Sequence, residues 1–258
     1  MVKIMHKKLI CLVLAVLCLA VLASCGNNSA NTQEAPSKGK ISEELTKALS
    51  AMSEAQAGSY VTFGSYEQDG NPDNGAEALE WLVLAKEDSR ILLISRYGID
   101  FTHFHLSRSV VTWETCYIRE WLNNTFVNTA FTEEEKAVIP SVTVKADKNP
   151  NKEGSKSPGN DTTDQLFLLS IPEAYQYLST DEARVCYATK YAMGQESAAD
   201  HFDRNAETAR TMWWLRTPGT SRFKAAYVDM IGAISEYGTE VDANAIAIRP
   251  AMWVEFGD

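Results

Sequence analysis

The sequence lacks the features of nucleotide-binding and nucleic-acid-binding proteins. No glycine-rich phosphate loop follows a strand pattern, and no basic cluster is interleaved with aromatic residues. The formal net charge is -10 at pH 7, and an acidic surface repels nucleic acid and anionic lipid headgroups. These absences argue against nucleotide-dependent chemistry and nucleic-acid partners, and we predict no cofactor.

Cysteine is scarce in the part of the chain expected to fold. Of the five cysteines, only Cys116 and Cys186 follow residue 25. One disulfide is therefore possible at most. Two buried thiols that act as small apolar residues are the alternative. No base is placed near either cysteine to activate it as a nucleophile.

Metal ligands are also few. His103 and His105 lie on one face of an extended THFH segment and offer two zinc ligands, but the whole chain has only four histidines. Asn160, Asp161 and Asp164 offer the oxygen ligands that calcium prefers, although an Asx turn explains Asp161 equally well. We therefore predict no metal site and keep calcium as the weaker alternative.

The amino terminus has the pattern of a secretory signal. Residues 1–8 are basic, and residues 9–22 form an apolar run of fourteen residues. Such a run makes a helix of about 21 Å, shorter than the ~30 Å hydrocarbon core of a bilayer. Residues 1–24 are therefore predicted to be a signal peptide and not a permanent transmembrane helix.

The segment LASC at residues 22–25 resembles a bacterial lipobox. That resemblance implies that Cys25 is lipidated and becomes the first residue of the mature protein. The alternative is ordinary secretory cleavage, with Cys25 as a spare thiol. We predict an extracytoplasmic lipoprotein that is anchored in a bilayer through Cys25, at the cell surface or on the periplasmic face.

Two short segments separate the anchor from the main domain. Residues 25–40 are polar and poor in large apolar groups, so we predict a flexible tether. Ile41, Leu45, Leu49 and Met52 then recur at helical spacing. They predict a helix within residues 41–57 that docks onto the domain by its apolar stripe.

Residues 58–258 alternate strand and helix patterns without a regular β-α-β rhythm. Two apolar runs on either side of KEDSR predict a hairpin, and TEEE at residues 132–135 predicts a capped helix start. A polar stretch at residues 145–164 predicts a long loop. The last third predicts strands at residues 212–216, 225–230, 233–236 and 246–254. The expected fold is a single α+β domain with an antiparallel sheet.

Five residues near the carboxyl terminus are the predicted ligand-binding set. Alternation along residues 246–254 places Arg249 and Trp253 on one face, and Trp213 lies opposite Arg216 on another strand. Trp213 and Trp253 are predicted to form a stacking surface. Each arginine either contacts a ligand carboxylate or phosphate, or binds loop carbonyls and acids such as Asp229.

Short motifs spread along the chain carry a family resemblance. They are TFG at 62–64, EWLVL at 80–84, TWE at 112–114, REWLN at 119–123, DTTD at 161–164, FLLS at 167–170, WLR at 214–216 and IRPA at 248–251. Together they resemble a bacterial family of exported proteins described as a domain of unknown function, over about residues 58–257. That resemblance implies no activity.

Residues 212–254 are also similar to C-type-lectin-like modules, including the formylglycine-generating enzyme group. This similarity implies a mixed fold with a twisted antiparallel sheet, several helices and long loops. It also implies binding of glycans or proteins. The catalytic relatives use a cysteine pair near the carboxyl terminus, whereas no cysteine follows Cys186 here.

These observations lead to a non-catalytic recognition module for a glycan or a protein. We predict no catalytic residue. One alternative is an extracytoplasmic enzyme, either a glycoside hydrolase with acids drawn from Glu114, Glu120, Asp229 and Glu236 or a metal-assisted hydrolase. The other is a surface scaffold without a small ligand.

The anchor prediction is tested by mass spectrometry of the protein recovered from its natural membrane. The amino-terminal peptide is expected to begin at Cys25 and to carry the mass of acyl chains, because a lipobox cysteine is modified before cleavage. A protein recovered from the cytosol with an unmodified Cys25 thiol would contradict the prediction.

Overall fold

The computed structural model describes residues 41–151, 157–196, 198, 202 and 206–256. The predicted signal peptide, Cys25 and the predicted tether fall within residues 1–40 and lie outside the described residues. All described residues belong to one compact unit, Lys40–Asp258.

The described strands are numbered in chain order. They are β1 (Tyr60–Tyr66), β2 (Glu77–Lys86), β3 (Arg90–Ser95), β4 (Asp100–Phe101), β5 (Val142–Val144), β6 (Thr162–Asp164), β7 (Leu166–Phe167), β8 (Cys186–Ala188), β9 (Ala209–Thr211), β10 (Trp213–Pro218), β11 (Lys224–Val228), β12 (Ile234–Glu240), β13 (Ala247–Ile248) and β14 (Ala251–Glu255).

The described helices are short. They are α1 (Glu43–Glu54), α2 (Tyr117–Trp121), α3 (Val127–Ala130), α4 (Glu133–Ala137), α5 (Ile171–Tyr177), α6 (Asp181–Arg184) and α7 (Lys190–Gly194). A 3₁₀ turn at Trp113–Thr115 precedes α2, and a π-helical segment at Leu122–Phe126 joins α2 to α3. Among the described helices, none combines the length and the apolar character needed to cross a bilayer.

Two five-stranded sheets form the frame of the domain. The first sheet has the order β1-β2-β3-β14-β7, and all its pairs are antiparallel. The second has the order β12-β11-β10-β13-β4, in which β10 and β13 are parallel and the other pairs are antiparallel. Two-stranded pairs, β5-β6 and β8-β9, complete the described topology. The predicted α+β class is confirmed.

Local sequence patterns explain several elements of the first sheet. β2 and β3 form the predicted hairpin, with Lys86 opposite Ile91. Alternate side chains of β2, among them Leu79, Trp81 and Val83, are buried. The Trp81 indole N–H donates to the Phe63 carbonyl oxygen at 2.7 Å, so this large buried side chain also satisfies its polar atom.

Capping residues set the starts of three helices. Ser42 caps α1, whose Leu45 and Met52 side chains are buried against the first sheet. Thr132 and Glu135 form the predicted capping box at α4, and Ser170 and Glu173 form another at α5. In each case a side-chain oxygen accepts a hydrogen bond from a backbone N–H that lacks a helical partner.

The predicted strand at residues 246–254 is wrong in its continuity. Its first half is β13 in the second sheet and its second half is β14 in the first sheet, with Arg249 and Pro250 between them. Proline has no N–H to donate to a ladder, which favours a break there. Residues 246–252 are all buried, so the predicted alternation of two faces does not hold.

Cys116 and Cys186 are both buried and unpaired, which settles the open question of a disulfide between them. Burial raises the pKa of the Cys116 thiol to about 12 and also raises the pKa of Cys186. Neither thiol is therefore suited to act as a nucleophile near neutral pH.

The Arg216 side chain fastens the long loop and α5 to β10. Its guanidinium donates to the carbonyl oxygens of Lys145 and Leu168 at 3.1 and 2.8 Å. It also binds the Glu173 carboxylate, with one contact of 2.8 Å, and the Asp147 carboxylate at 3.2 Å. Arg216 is therefore a structural residue, as one of the two predicted alternatives proposed.

We expect Arg216→Met to lower the free energy of unfolding by ~3 to 5 kcal/mol, because it leaves two carboxylates without their shared cation. Chemical denaturation at neutral pH measures the change. Arg90→Met is the matched control, because Arg90 pairs with Glu87 at the surface, and it is expected to change stability little. Equal stability losses in the two variants would contradict this role for Arg216.

Candidate functional site

Trp213 does not form the predicted stacking surface. Its side chain is 0% exposed, and its indole N–H donates to the Arg184 carbonyl oxygen at 3.0 Å. Trp253 is partly exposed on β14 in the other sheet, with the Arg90 guanidinium 4.3 Å from its ring centroid. The two tryptophans therefore cannot present a joint aromatic platform, and the prediction for Trp213 is corrected.

Asp229 lies at the end of β11 and shapes the turn into β12. Its carboxylate accepts hydrogen bonds from the backbone N–H groups of Ile231 and Ala233, at 3.0 and 2.9 Å. No described contact joins it to Arg216 or to Arg249. Among the five predicted ligand-binding residues, only Arg249 borders the cleft described next.

A cleft of about 580 Å³ opens where the edge of the first sheet meets α5, α6 and β8. It falls within the size range of small-molecule sites in proteins. Four tyrosines and two arginines dominate its described lining, and Glu182 is its carboxylate. The lining side chains used below are Tyr60, Arg96, Tyr97, Tyr177, Glu182, Tyr187 and Arg249.

One wall of the cleft is fixed by a close contact at Gly98. The Gly98 N–H donates to the Tyr187 carbonyl oxygen at 2.9 Å, and the Thr189 N–H donates to the Gly98 carbonyl oxygen at 3.1 Å. A Cβ atom at Gly98 would lie 2.6 Å from the Cβ of Ala247. Only glycine allows this approach, which joins the loop after β3 to β8.

The part of the cleft lining that comes from α5 and α6 is held in place by Arg184. Its guanidinium donates to the Gly232 carbonyl oxygen at 2.8 Å and the Leu178 carbonyl oxygen at 2.5 Å, and it pairs with Asp181. These bonds tie the end of α5 to α6, which carries Glu182. The Arg184 carbonyl oxygen in turn accepts a hydrogen bond from the Trp213 indole N–H, so the buried tryptophan also holds α6 in place.

Arg249 is the unusual residue of the cleft. Its side chain is 3% exposed, yet it takes part in no described ion pair. Nε donates to the Ser95 carbonyl oxygen at 2.9 Å, and the guanidinium lies 5.1 Å from the Trp213 ring centroid. Nη1 is buried without a hydrogen-bond partner in the described part of the protein. A buried charge normally has a charged or polar partner for each donor.

The rim of the cleft carries aromatic rings and one arginine, Arg96, whose charge is balanced by Glu80. Arg96 pairs with Glu80 at 2.9 Å and lies over the rings of Tyr60 and Tyr97, at 4.9 and 5.1 Å from their centroids. Tyr60 and Tyr187 are 52% and 40% exposed, so their rings are accessible to a ligand. The tyrosines were not predicted, because they are far apart in sequence and follow no common motif.

Two of the four acids proposed for the hydrolase alternative, Glu114 and Asp229, have carboxylates engaged in other contacts. Glu114 and Glu120 border one shallow depression beside α2. The Glu114 carboxylate accepts hydrogen bonds from Asn160, which hold its pKa below the ordinary value. A general acid for glycoside hydrolysis needs the opposite shift.

A different acid, Asp100, is half-buried beside the buried Tyr66 side chain. The Tyr66 hydroxyl donates to Asp100 Oδ2 at 3.0 Å, and the Phe101 N–H donates to Oδ1 at 2.7 Å. Burial raises the pKa of Asp100 to about 6, although these two bonds act against the shift. Neither Asp100 nor Tyr66 borders a described cleft, so the pair has no evident access to a substrate.

Potential metal ligands gather at a place the sequence did not indicate. Carboxylate oxygens of Glu67, Asp69 and Glu77 lie within 4.8 Å of one another, and each accepts a nearby backbone N–H. His103 and His105 belong to no such group among the described residues. Asp161 accepts hydrogen bonds from Lys145 and from the Ala146 N–H. Asp164 accepts hydrogen bonds from Trp113, Arg119 and Thr162.

A family model described as Domain of unknown function (DUF6273) matches residues 88–256 of the chain. This range contains β3 through β14 and most of the cleft. No curated protein and no solved structure matches the chain.

The raised pKa of Asp100 predicts a pH-dependent contribution to stability. Its unfolded pKa is ~3.9 and its folded pKa is about 6, so the folded state holds the extra proton between these values. The contribution is present below about pH 4 and is lost as pH rises through about 6, with a total of ~3 kcal/mol.

Asp100→Asn should remove this dependence, because the amide does not titrate. The free energy of unfolding of the variant, minus that of the natural protein, is expected to rise by ~2 kcal/mol between pH 4 and pH 8, because part of the total is already lost at pH 4. Denaturant titrations at the two pH values measure it. A difference that stays constant with pH would contradict the assignment.

Proposed function

Since the chain belongs to the DUF6273 family of domains of unknown function, we propose its function from the chemistry of its own cleft. It is a recognition module that binds a glycan in the tyrosine-lined cleft, held outside the cell by a lipid on Cys25. The single observation that carries the proposal is the convergence of accessible tyrosines and a buried arginine in one cleft.

The aromatic lining supports a saccharide ligand. Sugar rings present C–H faces that pack on aromatic rings, and hydroxyl groups that pair with phenol and guanidinium groups. Tyr60 and Tyr187 offer accessible rings, and Arg96 is positioned over Tyr60 and Tyr97. Polar and apolar contacts are therefore close together, as a saccharide requires.

The acid content of the cleft favours recognition over glycoside hydrolysis. Hydrolysis of a glycosidic bond normally uses two carboxyl groups on either side of the bond. The described lining contributes one, Glu182. Recognition needs no such pair, so it is the better match to these residues.

The proposed location rests on the amino-terminal sequence. Acyl chains contribute ~0.8 kcal/mol per buried methylene, so a multiply acylated Cys25 anchors firmly. The polar composition of residues 26–40 suits the proposed tether between Cys25 and the domain that carries the cleft. The C-type-lectin-like likeness of residues 212–254 remains part of this proposal.

The function is tested with the full chain, purified in detergent, on a glycan array. Tyr60→Ala and Tyr187→Ala are each expected to weaken binding about tenfold, because each removes an exposed ring of the cleft. Tyr237→Ala is the matched control: Tyr237 is 59% exposed on β12 and lies outside the cleft lining.

Binding that survives both cleft substitutions would refute the site. Binding of proteins or peptides alone, with no printed glycan retained, would refute the ligand class. Thermal melts of the three variants show whether they remain folded. We expect all three to fold, because each replaced tyrosine is exposed.

A further inference from the structure

We infer that Arg249 is an anion anchor and that the saccharide bound in the cleft carries a carboxylate, as uronic-acid residues do. The inference rests on the proposed function and names its substrate class. In the free protein, the buried Arg249 side chain lines the cleft and has no described ion-pair partner.

Three arginines are buried in the described part of the chain: Arg184, Arg216 and Arg249. Arg184 pairs with Asp181, and Arg216 pairs with Glu173 and Asp147. Both also donate to two carbonyl oxygens. Arg249 has one described hydrogen bond, through Nε, and its Nη1 has none. It alone of the three borders the cleft.

The free donors of Arg249 suit a carboxylate. A guanidinium presents its N–H groups in a planar fork whose spacing matches the two oxygens of a carboxylate. Because Nε is already bonded to the Ser95 carbonyl oxygen, the terminal nitrogens remain for the ligand. The Trp213 ring centroid lies 5.1 Å from the guanidinium carbon. This contact and the Nε–H bond to Ser95 restrict the position of the guanidinium before a ligand arrives.

The other charges of the cleft favour a ligand with a single negative charge. Arg96 is neutralised by Glu80 at the rim, and Glu182 adds a negative charge to the lining. With Arg96 and Glu80 paired, Arg249 and Glu182 are the remaining charges, and they are opposite in sign. A bound carboxylate therefore adds one negative charge to the cleft and a phosphate dianion adds two, so the repulsion from Glu182 is smaller for the carboxylate.

The ligand test uses the full natural chain on an array with three forms of each uronate glycan. These are the free acid, the carboxyl methyl ester, and the carboxyl-reduced neutral sugar. We expect the free acid to bind at least tenfold more tightly than the other two, because only it pairs with Arg249. Peptides with free and amidated carboxyl termini are printed on the same array.

The outcomes separate this inference from the function it rests on. Equal binding of acid, ester and neutral forms overturns the carboxylate inference and leaves glycan recognition intact. Binding of no glycan overturns both. Retention of free-carboxyl peptides alone overturns the saccharide ligand.

The variant test compares Arg249→Met with Arg90→Met. Arg249→Met is expected to lose the preference for the free acid, whereas Arg90→Met, the same change outside the cleft, retains it. In the absence of ligand, the melting temperature of Arg249→Met should equal or exceed that of the natural protein, because the variant removes an unbalanced buried charge. A fall in melting temperature as large as the fall measured for Arg216→Met would overturn the claim that Arg249 is an unbalanced buried charge.

Discussion

The passage of the chain from one sheet to the other at Arg249 and Pro250 is the constraint on which the domain depends. Ile248 ends a strand of the second sheet and Ala251 begins a strand of the first. Backbone bonds hold the crossing on both sides: the Ile99 N–H donates to the Ile248 carbonyl oxygen at 3.0 Å, and the Ser95 N–H donates to the Pro250 carbonyl oxygen at 2.9 Å. The chain thus passes directly between the sheets here, as it also does between β3 and β4, and Arg249 of this segment lines the cleft.

The three buried arginines differ in how many hydrogen bonds and ion pairs they form, and therefore in their roles. Arg184 and Arg216 are surrounded by carbonyl oxygens and carboxylates, so they join loops and helices to the sheets. Arg249 is equally buried but sparsely bonded. A cation in that state costs the free protein stability, which is acceptable where binding later supplies its partner. The difference in bonding, and not in burial, separates the structural arginines from the candidate ligand residue.

The elements predicted correctly from sequence are those determined by neighbouring residues. The hairpin of β2 and β3 follows from two apolar runs and a polar turn, and the α4 start follows from Thr132 and Glu135. The α+β class follows from the mixture of such patterns. The burial of Trp213 and the break at Arg249 were not predicted, because they depend on which distant strands pair. The tyrosines of the cleft come from separate elements, so no local signal marks them. One arginine inside the apolar run AIAIRPAMWV was the available hint.

The close contact at Gly98 also affects when the cleft can form as the chain is synthesised and folds. Gly98 meets Tyr187 and Ala247, which are 89 and 149 positions further along the chain. Contacts between such distant positions form slowly, since long loops must close first. A nascent or truncated polypeptide that ends before β13 lacks Ala247, which packs against Gly98, and Arg249, which lines the cleft. The proposed saccharide recognition thus requires the finished chain, and partly synthesised molecules would not compete for the ligand.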